Sequence, residues 1–253
     1  MIPPTAVSDY LQRIGYTGSR EPTARTLREV HRAHLFTVPF ENLDIGLGRK
    51  IVCQEELFLR KIVDRRRGGF CYELNGAFAA LLRELGFKVT RLSARVAREN
   101  GESTPEFDHL ALRVDLEEAW LADVGFGDSF VDPLRLEAGA EQEQAGRKFR
   151  ITAQGGVLHL VGTDHQGEWK RQYSFTQIPR RLDEFAGMCH YHQTSPESHF
   201  TQQTLCSMAT PAGRITLSGR GLIITRNGER EERLLKSDEE WQSALKEYFG
   251  VVL

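Results

Sequence analysis

Residues 70–97 read FCYELNGAFAALLRELGFKVTRLSARVA, and the change of period inside this stretch decides the fold. Its first half places Cys71, Leu74, Phe78, Leu82 and Leu85 at helical spacing on one face. Gly86 closes the run, as a glycine at a helix C-terminus does. From Phe87 the period shortens, with Val89, Leu92, Ala94 and Val96 following strand alternation. The spacing predicts a helix over 70–85 that feeds directly into a strand over 88–97.

Upstream of this switch the pattern is helical, around Ala6–Ile14, Thr23–Leu35 and Gln54–Asp64, with Gly- and Pro-containing loops at 37–39 and 46–48. Downstream it is mostly short strands, at 109–114, 119–124, 149–152, 157–161 and 169–175, then at 204–208, 214–217 and 222–225. Arg226-Asn227-Gly228-Glu229 is a hairpin turn, and Ser237 with Glu240 is a capping-box pattern for a last helix ending near Phe249. The reading is an α+β chain: a helical bundle (1–86), an antiparallel β region (87–190) and a mixed C-terminal section (191–253).

Composition narrows the function classes. With 33 basic and 35 acidic side chains the formal charge is −2, which lacks the basic footprint of a nucleic-acid binder. The runs Arg65–Arg67 and Arg226–Arg233 read as solvated faces. No stretch approaches the ~18 consecutive apolar residues of a membrane span. The N-terminus lacks the basic and apolar regions of a secretory leader. Cys53, Cys71, Cys189 and Cys206 are widely spaced, which points to free thiols in a reducing cytoplasm.

One of those thiols has a setting suited to chemistry. Gly68 and Gly69 allow a tight turn and close approach to a ligand. Cys71 then falls in the first turn of the predicted helix, where free N–H groups and the macrodipole lower a thiol's pKa. The same inward-facing position suits a small core hydrophobe. A thiolate nucleophile needs a base, and the base an orienting group. His109 opens one predicted strand and Asp123, 14 residues later, ends the next. A hairpin around 115–118 sets these strand ends side by side, an argument that does not extend to His31 or His34. The alternative is an unrelated surface histidine and a capping aspartate. In the following turn, Val124-Gly125-Phe126-Gly127, Phe126 either covers the site or fills the core. Cys189, His190 and His192 lack the second ligand pair a tetrahedral zinc site needs.

The segments Pro39-Phe40-Glu41-Asn42-Leu43, Arg67 to Asn75, His109-Leu110-Ala111-Leu112, Asp123 to Gly127 and Thr194 to Phe200 together resemble the arylamine N-acetyltransferase family in its bacterial form. The resemblance implies a helical bundle, a central β-barrel and a C-terminal α/β lid, with a papain- or transglutaminase-like Cys71–His109–Asp123 core. It implies acetyl-CoA as donor, no metal, and an aromatic amine or hydrazine acceptor, with O-acetylation of arylhydroxylamines as an extension. Phe40, Val96, Phe126, Phe130 and Phe200 fall at acceptor-pocket positions, and Tyr72, Thr104 and Gly127 at CoA-contact positions. Asp108 stands where relatives often carry Thr, and Asp128 where some carry Arg. The rival readings are an amide synthase or other acyl-CoA acyltransferase, a transglutaminase-like hydrolase, and a non-enzymatic redox sensor. Monomer and homodimer are both open.

Overall fold

The computed structural model describes residues 4–164 and 166–253. The first third forms helices α1 (Pro4–Arg13), α2 (Ala24–Leu35), α3 (Leu43–Gly46), α4 (Glu55–Leu59) and α5 (Cys71–Glu84). Residues Cys71 to Leu82 of α5 are buried without a break, so this helix is the hub of the largest core cluster. Its polar members Glu73 and Asn75 are held by internal hydrogen bonds. Gly86 turns the chain at φ +88°, and strand geometry begins at Lys88.

The helix predicted over Gln54–Asp64 forms in two pieces. After α4 comes a π turn over Arg60–Asp64, closed by the Arg65 N–H to the Arg60 carbonyl at 3.0 Å. Both Lys61 and Ile62 are buried there, which a regular amphipathic reading of this stretch does not foresee.

Between α2 and α3 lies the two-residue strand β1 (Phe40–Glu41). The β region then runs β2 (Lys88–Val96), β3 (His109–Asp115), β4 (Ala119–Ala122), β5 (Leu134–Arg135), β6 (Glu141–Gln144), β7 (Arg147–Gln154), β8 (Val157–Thr163) and β9 (Trp169–Phe175). These pair in the order β5-β4-β3-β2-β9-β8-β7-β6. The two edges approach each other, since the Gln142 side chain bonds the Arg135 backbone and Ala138 bridges Ile151. The sheet is thus nearly a closed barrel, filled by Leu92, Leu121, Phe130, Phe149, Leu160 and Tyr173.

The last third adds α6 (Ala186–Thr194) and α7 (His199–Gln202), then β10 (Leu205–Thr210), β11 (Gly213–Ser218), β12 (Gly221–Arg226) and β13 (Glu229–Leu234). The hairpin β12–β13 turns at Asn227 (φ 51°) and Gly228 (φ 86°), as its Asn-Gly sequence requires. Ser237 caps α8 (Asp238–Phe249) by accepting the Glu240 N–H, and α8 packs Leu245 and Phe249 on this sheet. The sheet order is β1-β10-β11-β12-β13, so the first third lends a strand to the last.

Candidate active site

The turn before α5 is built by close packing. A Cβ on Gly68 would collide with the Pro39 carbonyl oxygen, and one on Gly69 would press on the Glu73 side chain at 2.7 Å. These glycines admit other parts of this chain rather than a ligand: the Glu41 N–H reaches the Gly69 carbonyl at 2.8 Å, docking β1 against the helix start. Glu73 Oε2 accepts the Phe70 N–H at 3.1 Å and Oε1 accepts Lys61 Nζ at 2.9 Å. Lys61 also lies 2.9 Å from Asp44 and 3.6 Å from Glu41. Arg67 completes the cluster, 2.8 Å from Glu41 and 3.1 Å from Asp44. Arg67 is therefore no part of a solvated face; it is buried because two carboxylates meet it, while Arg65 and Arg66 stay exposed.

His109 and Asp123 come together as neighbours on one face of the sheet. The register pairs Leu112 with Ala122, which puts Asp123 level with Ala111 and diagonal to His109 rather than opposite it. The side chains close that gap, with His109 Nε2 2.6 Å from Asp123 Oδ2. Tyr173 donates its hydroxyl to the same oxygen at 2.9 Å. Asn75 Nδ2 (2.8 Å) and the Gly125 N–H (3.0 Å) donate to Oδ1. Burial pushes the Asp123 carboxyl up, but His109 and these donors outweigh it and hold it below the usual carboxylate range.

Cys71 joins this pair through the chain on either side of it. Its Sγ is 3.9 Å from the Asp108 carbonyl, one residue before His109. Gly125, two residues after Asp123, lies so close that a Cβ there would stand 2.8 Å from Cys71 Cα. The helix start does not make the thiol acidic here. Burial pushes it well up, and backbone hydrogen bonds from Leu110 and Tyr72 offset this only in part. The reason is visible in its exposure, 4%.

A model of the N-acetyltransferase family matches residues 23–253. An arylamine N-acetyltransferase of Mycolicibacterium smegmatis is 39% identical over 96% of this chain and 91% of its own length. The chain belongs to the arylamine N-acetyltransferase family. Among solved structures, the Salmonella typhimurium arylamine N-acetyltransferase superposes with a TM-score of 0.93 at 31% identity, covering 98% of this chain and 91% of that one. The Mycobacterium marinum arylamine N-acetyltransferase, solved in complex with CoA, gives 0.90 at 34% identity over 97% and 92%. The chain is accordingly an acetyltransferase.

The pocket positions expected for an arylamine N-acetyltransferase fall in three places. Phe126 covers the base, its ring 5.3 Å from His109 and 5.1 Å from Tyr173. Phe40 and Phe200 pack together at 6.0 Å, and Phe200 lies 5.9 Å from Phe70, the residue before Cys71. Phe130 sits in the barrel core instead, stacked on His31 at 5.7 Å. Val96 pairs with Tyr173 across the sheet and donates its N–H to Thr104 Oγ1 at 2.8 Å. The Tyr72 hydroxyl is committed to the Phe107 and Asp108 carbonyls, at 2.8 and 3.1 Å. Gly127 (φ +94°) faces open space, with its carbonyl held by Arg214 Nη2 at 2.6 Å. Asp128 faces Arg147 (3.0 Å) and Arg214 (3.5 Å).

On α6 the side chains of the discounted metal set part ways: Cys189 faces the Ile51 carbonyl, His192 faces Asp108, and His190 is exposed. Among the described residues no three His, Cys, Asp or Glu side chains are grouped to hold a metal ion. No helix among them is long and apolar enough to cross a membrane. Cys53 lies close enough to Cys189 to push its thiol up.

Three site residues escape the sequence reading. Asn75 had a usable signal, a polar residue four positions after Cys71 and so on the same helix face. Tyr173 arrives from β9 with no local sign. His31 is the one the strand argument set aside, yet its Nε2 accepts the Asp123 N–H at 3.1 Å. Its Nδ1–H donates to the Val131 carbonyl at 2.7 Å, which fixes the neutral tautomer, and burial lowers its pKa to about 4.

Proposed function

We propose that this enzyme moves an acetyl group from acetyl-CoA to an aromatic amine or hydrazine through an acetyl-cysteine at Cys71. The observation that carries the reading is the His109–Asp123 contact at 2.6 Å, made by Nε2, so that Asp123 leaves Nδ1 unengaged. The CoA complex of the Mycobacterium marinum relative supports the donor. In this reading residues 1–86 supply the nucleophile, 87–190 the base and carboxylate, and 191–253 the Phe200 wall.

A thiol pushed up by burial is not a thiolate unless its proton has somewhere to go. His109 takes it, and the Asp123 carboxylate stabilises the imidazolium. The thiolate attacks the thioester carbonyl, backbone N–H groups at the start of α5 face the developing oxyanion, and the C–S bond to CoA breaks. The imidazolium returns its proton to the departing CoA thiolate. The acceptor nitrogen then attacks the acetyl-cysteine, His109 takes the nitrogen's proton, and collapse expels Cys71 and releases the amide. Arylamines are largely unprotonated at neutral pH, so the attack requires no strong base.

Two half-reactions through one covalent intermediate predict parallel double-reciprocal lines when acetyl-CoA and an arylamine such as 4-aminosalicylate are varied together. Intersecting lines, which require a ternary complex, would overturn the scheme. Release of free CoA at the same rate with water alone would place the chain with thiol hydrolases. Faster turnover with a longer acyl-CoA would favour the amide-synthase reading.

A further inference from the structure

Beside the His109–Asp123 contact lies a second carboxylate–imidazole pair, with His192 Nε2 3.2 Å from Asp108 Oδ1. Both side chains are nearly buried, at 9% and 12% exposure. His192 Nδ1 is 3.1 Å from Ser198 Oγ, which in turn accepts the Phe200 N–H at the start of α7. The imidazole also packs 5.1 Å from Phe200 and 6.2 Å from Tyr72. The pair therefore joins the 186–200 segment to the residue immediately before His109.

That residue follows a backbone outlier. Phe107 has φ +68°, a left-handed conformation that an aromatic side chain rarely adopts. It is fixed by the Phe107 N–H to Ser93 Oγ (2.7 Å) and by the Tyr72 hydroxyl to its carbonyl (2.8 Å). Its ring is held edge-on by Phe185 at 5.2 Å. Asp108 extends the same turn, receiving Tyr72 and Cys71 on its carbonyl, while His192 Nε2 faces its carboxylate at 3.2 Å without a hydrogen bond. The Asp108 charge opposes a thiolate at Cys71, and the His192 ring is the polar side chain that faces that charge.

We propose that Asp108 and His192 are a positioning pair: His192 fixes the 107–108 turn that presents His109 to Cys71 and screens the Asp108 charge from the Cys71 sulfur. The proposal rests on the reading of Cys71 as nucleophile. The other titratable groups about the pair are Tyr72 on α5, Cys189 and Tyr191 on α6, Cys53 on the loop before α4, and His109 with Asp123 on the barrel. Arg180 lies over the Phe107 ring at 5.0 Å and is engaged by Glu106 at 2.7 Å.

The test is iodoacetamide alkylation of Cys71, read on its peptide by mass spectrometry from about pH 5 to about pH 11. His192→Gln is expected to raise the midpoint by about half a pH unit and Asp108→Asn to lower it by a similar amount. In the Asp108→Asn background, His192→Gln should then add little, because no charge is left to screen. Unmoved midpoints, or two shifts that simply add, would overturn the proposal. Should His192→Gln fail to fold, His192→Asn takes its place in the same comparison, with the same outcomes deciding. A Cys71 that resists alkylation in the unaltered enzyme across this range would instead contradict the nucleophile reading.

Discussion

Asp123→Asn is expected to fold and to lose about three to four orders of magnitude in acetyl transfer, the scale seen when a triad carboxylate becomes an amide. The carboxylate accepts from four donors: His109 and Tyr173 on Oδ2, Asn75 and Gly125 on Oδ1. An amide of the same shape must turn its NH2 toward one of these two sets. Facing His109, it forces the imidazole to accept at Nε2 and carry its proton on Nδ1, where the cysteine's proton has to arrive. Facing Asn75 and Gly125, it sets donors against donors in a buried site, costing about 1–3 kcal/mol for each group left unpaired. Either orientation disables the base or loosens its support. Asp123→Ala, which strands all four donors, should also unfold at markedly lower urea concentration than Asp123→Asn. Steady-state rates with urea melts of both variants check this, and a loss under tenfold in Asp123→Asn would be incompatible with His109 acting as base.

Lys61→Met is expected to cost about 3–5 kcal/mol of folding stability, the range for removing one partner of a buried ion cluster. Lys61 stands 2.9 Å from Glu73, 2.9 Å from Asp44 and 3.6 Å from Glu41, and methionine fills its stem without its charge. Arg67 remains against Glu41 and Asp44, so Glu73 loses most. Burial already pushes the Glu73 carboxyl up to about 7 despite Lys61. Without that cation it rises further, and a carboxyl raised in the folded state adds stability at low pH that is lost as pH climbs. The deficit of Lys61→Met should therefore be smaller near pH 5 than near pH 8. Urea unfolding at both values measures it, and a deficit under about 1 kcal/mol, or one that does not vary with pH, would show that the cluster does not hold the start of α5.

What could be read from the sequence was whatever is local. The helix over 71–84 and the switch to strands follow from periodicity, and the Asn227-Gly228 hairpin from turn chemistry. The His109–Asp123 contact was legible because a short hairpin ties two neighbouring strands. What lay beyond reach is brought in from a distance. Tyr173 comes from 50 residues away, and His31 on α2 takes the Asp123 N–H across a separation of 92 residues. Lys61 turns inward through a π turn that leaves no compositional trace. The basic run ending at Arg67 looked solvated because the carboxylates that bury it lie on Glu41 and Asp44, more than 20 residues earlier. Cys71 differs for a related reason: sequence shows the helix start that favours a thiolate, while the burial that pushes the thiol up is a property of the whole fold.

Incubation with acetyl-CoA in the absence of any acceptor, followed by peptide mass analysis, tests the central claim most directly. The account predicts a single acetyl group on the peptide containing Cys71, absent from Cys71→Ala and discharged when an arylamine is added. An enzyme that acetylates the amine while Cys71 stays unmodified, or that carries its acetyl group at another residue, would contradict it.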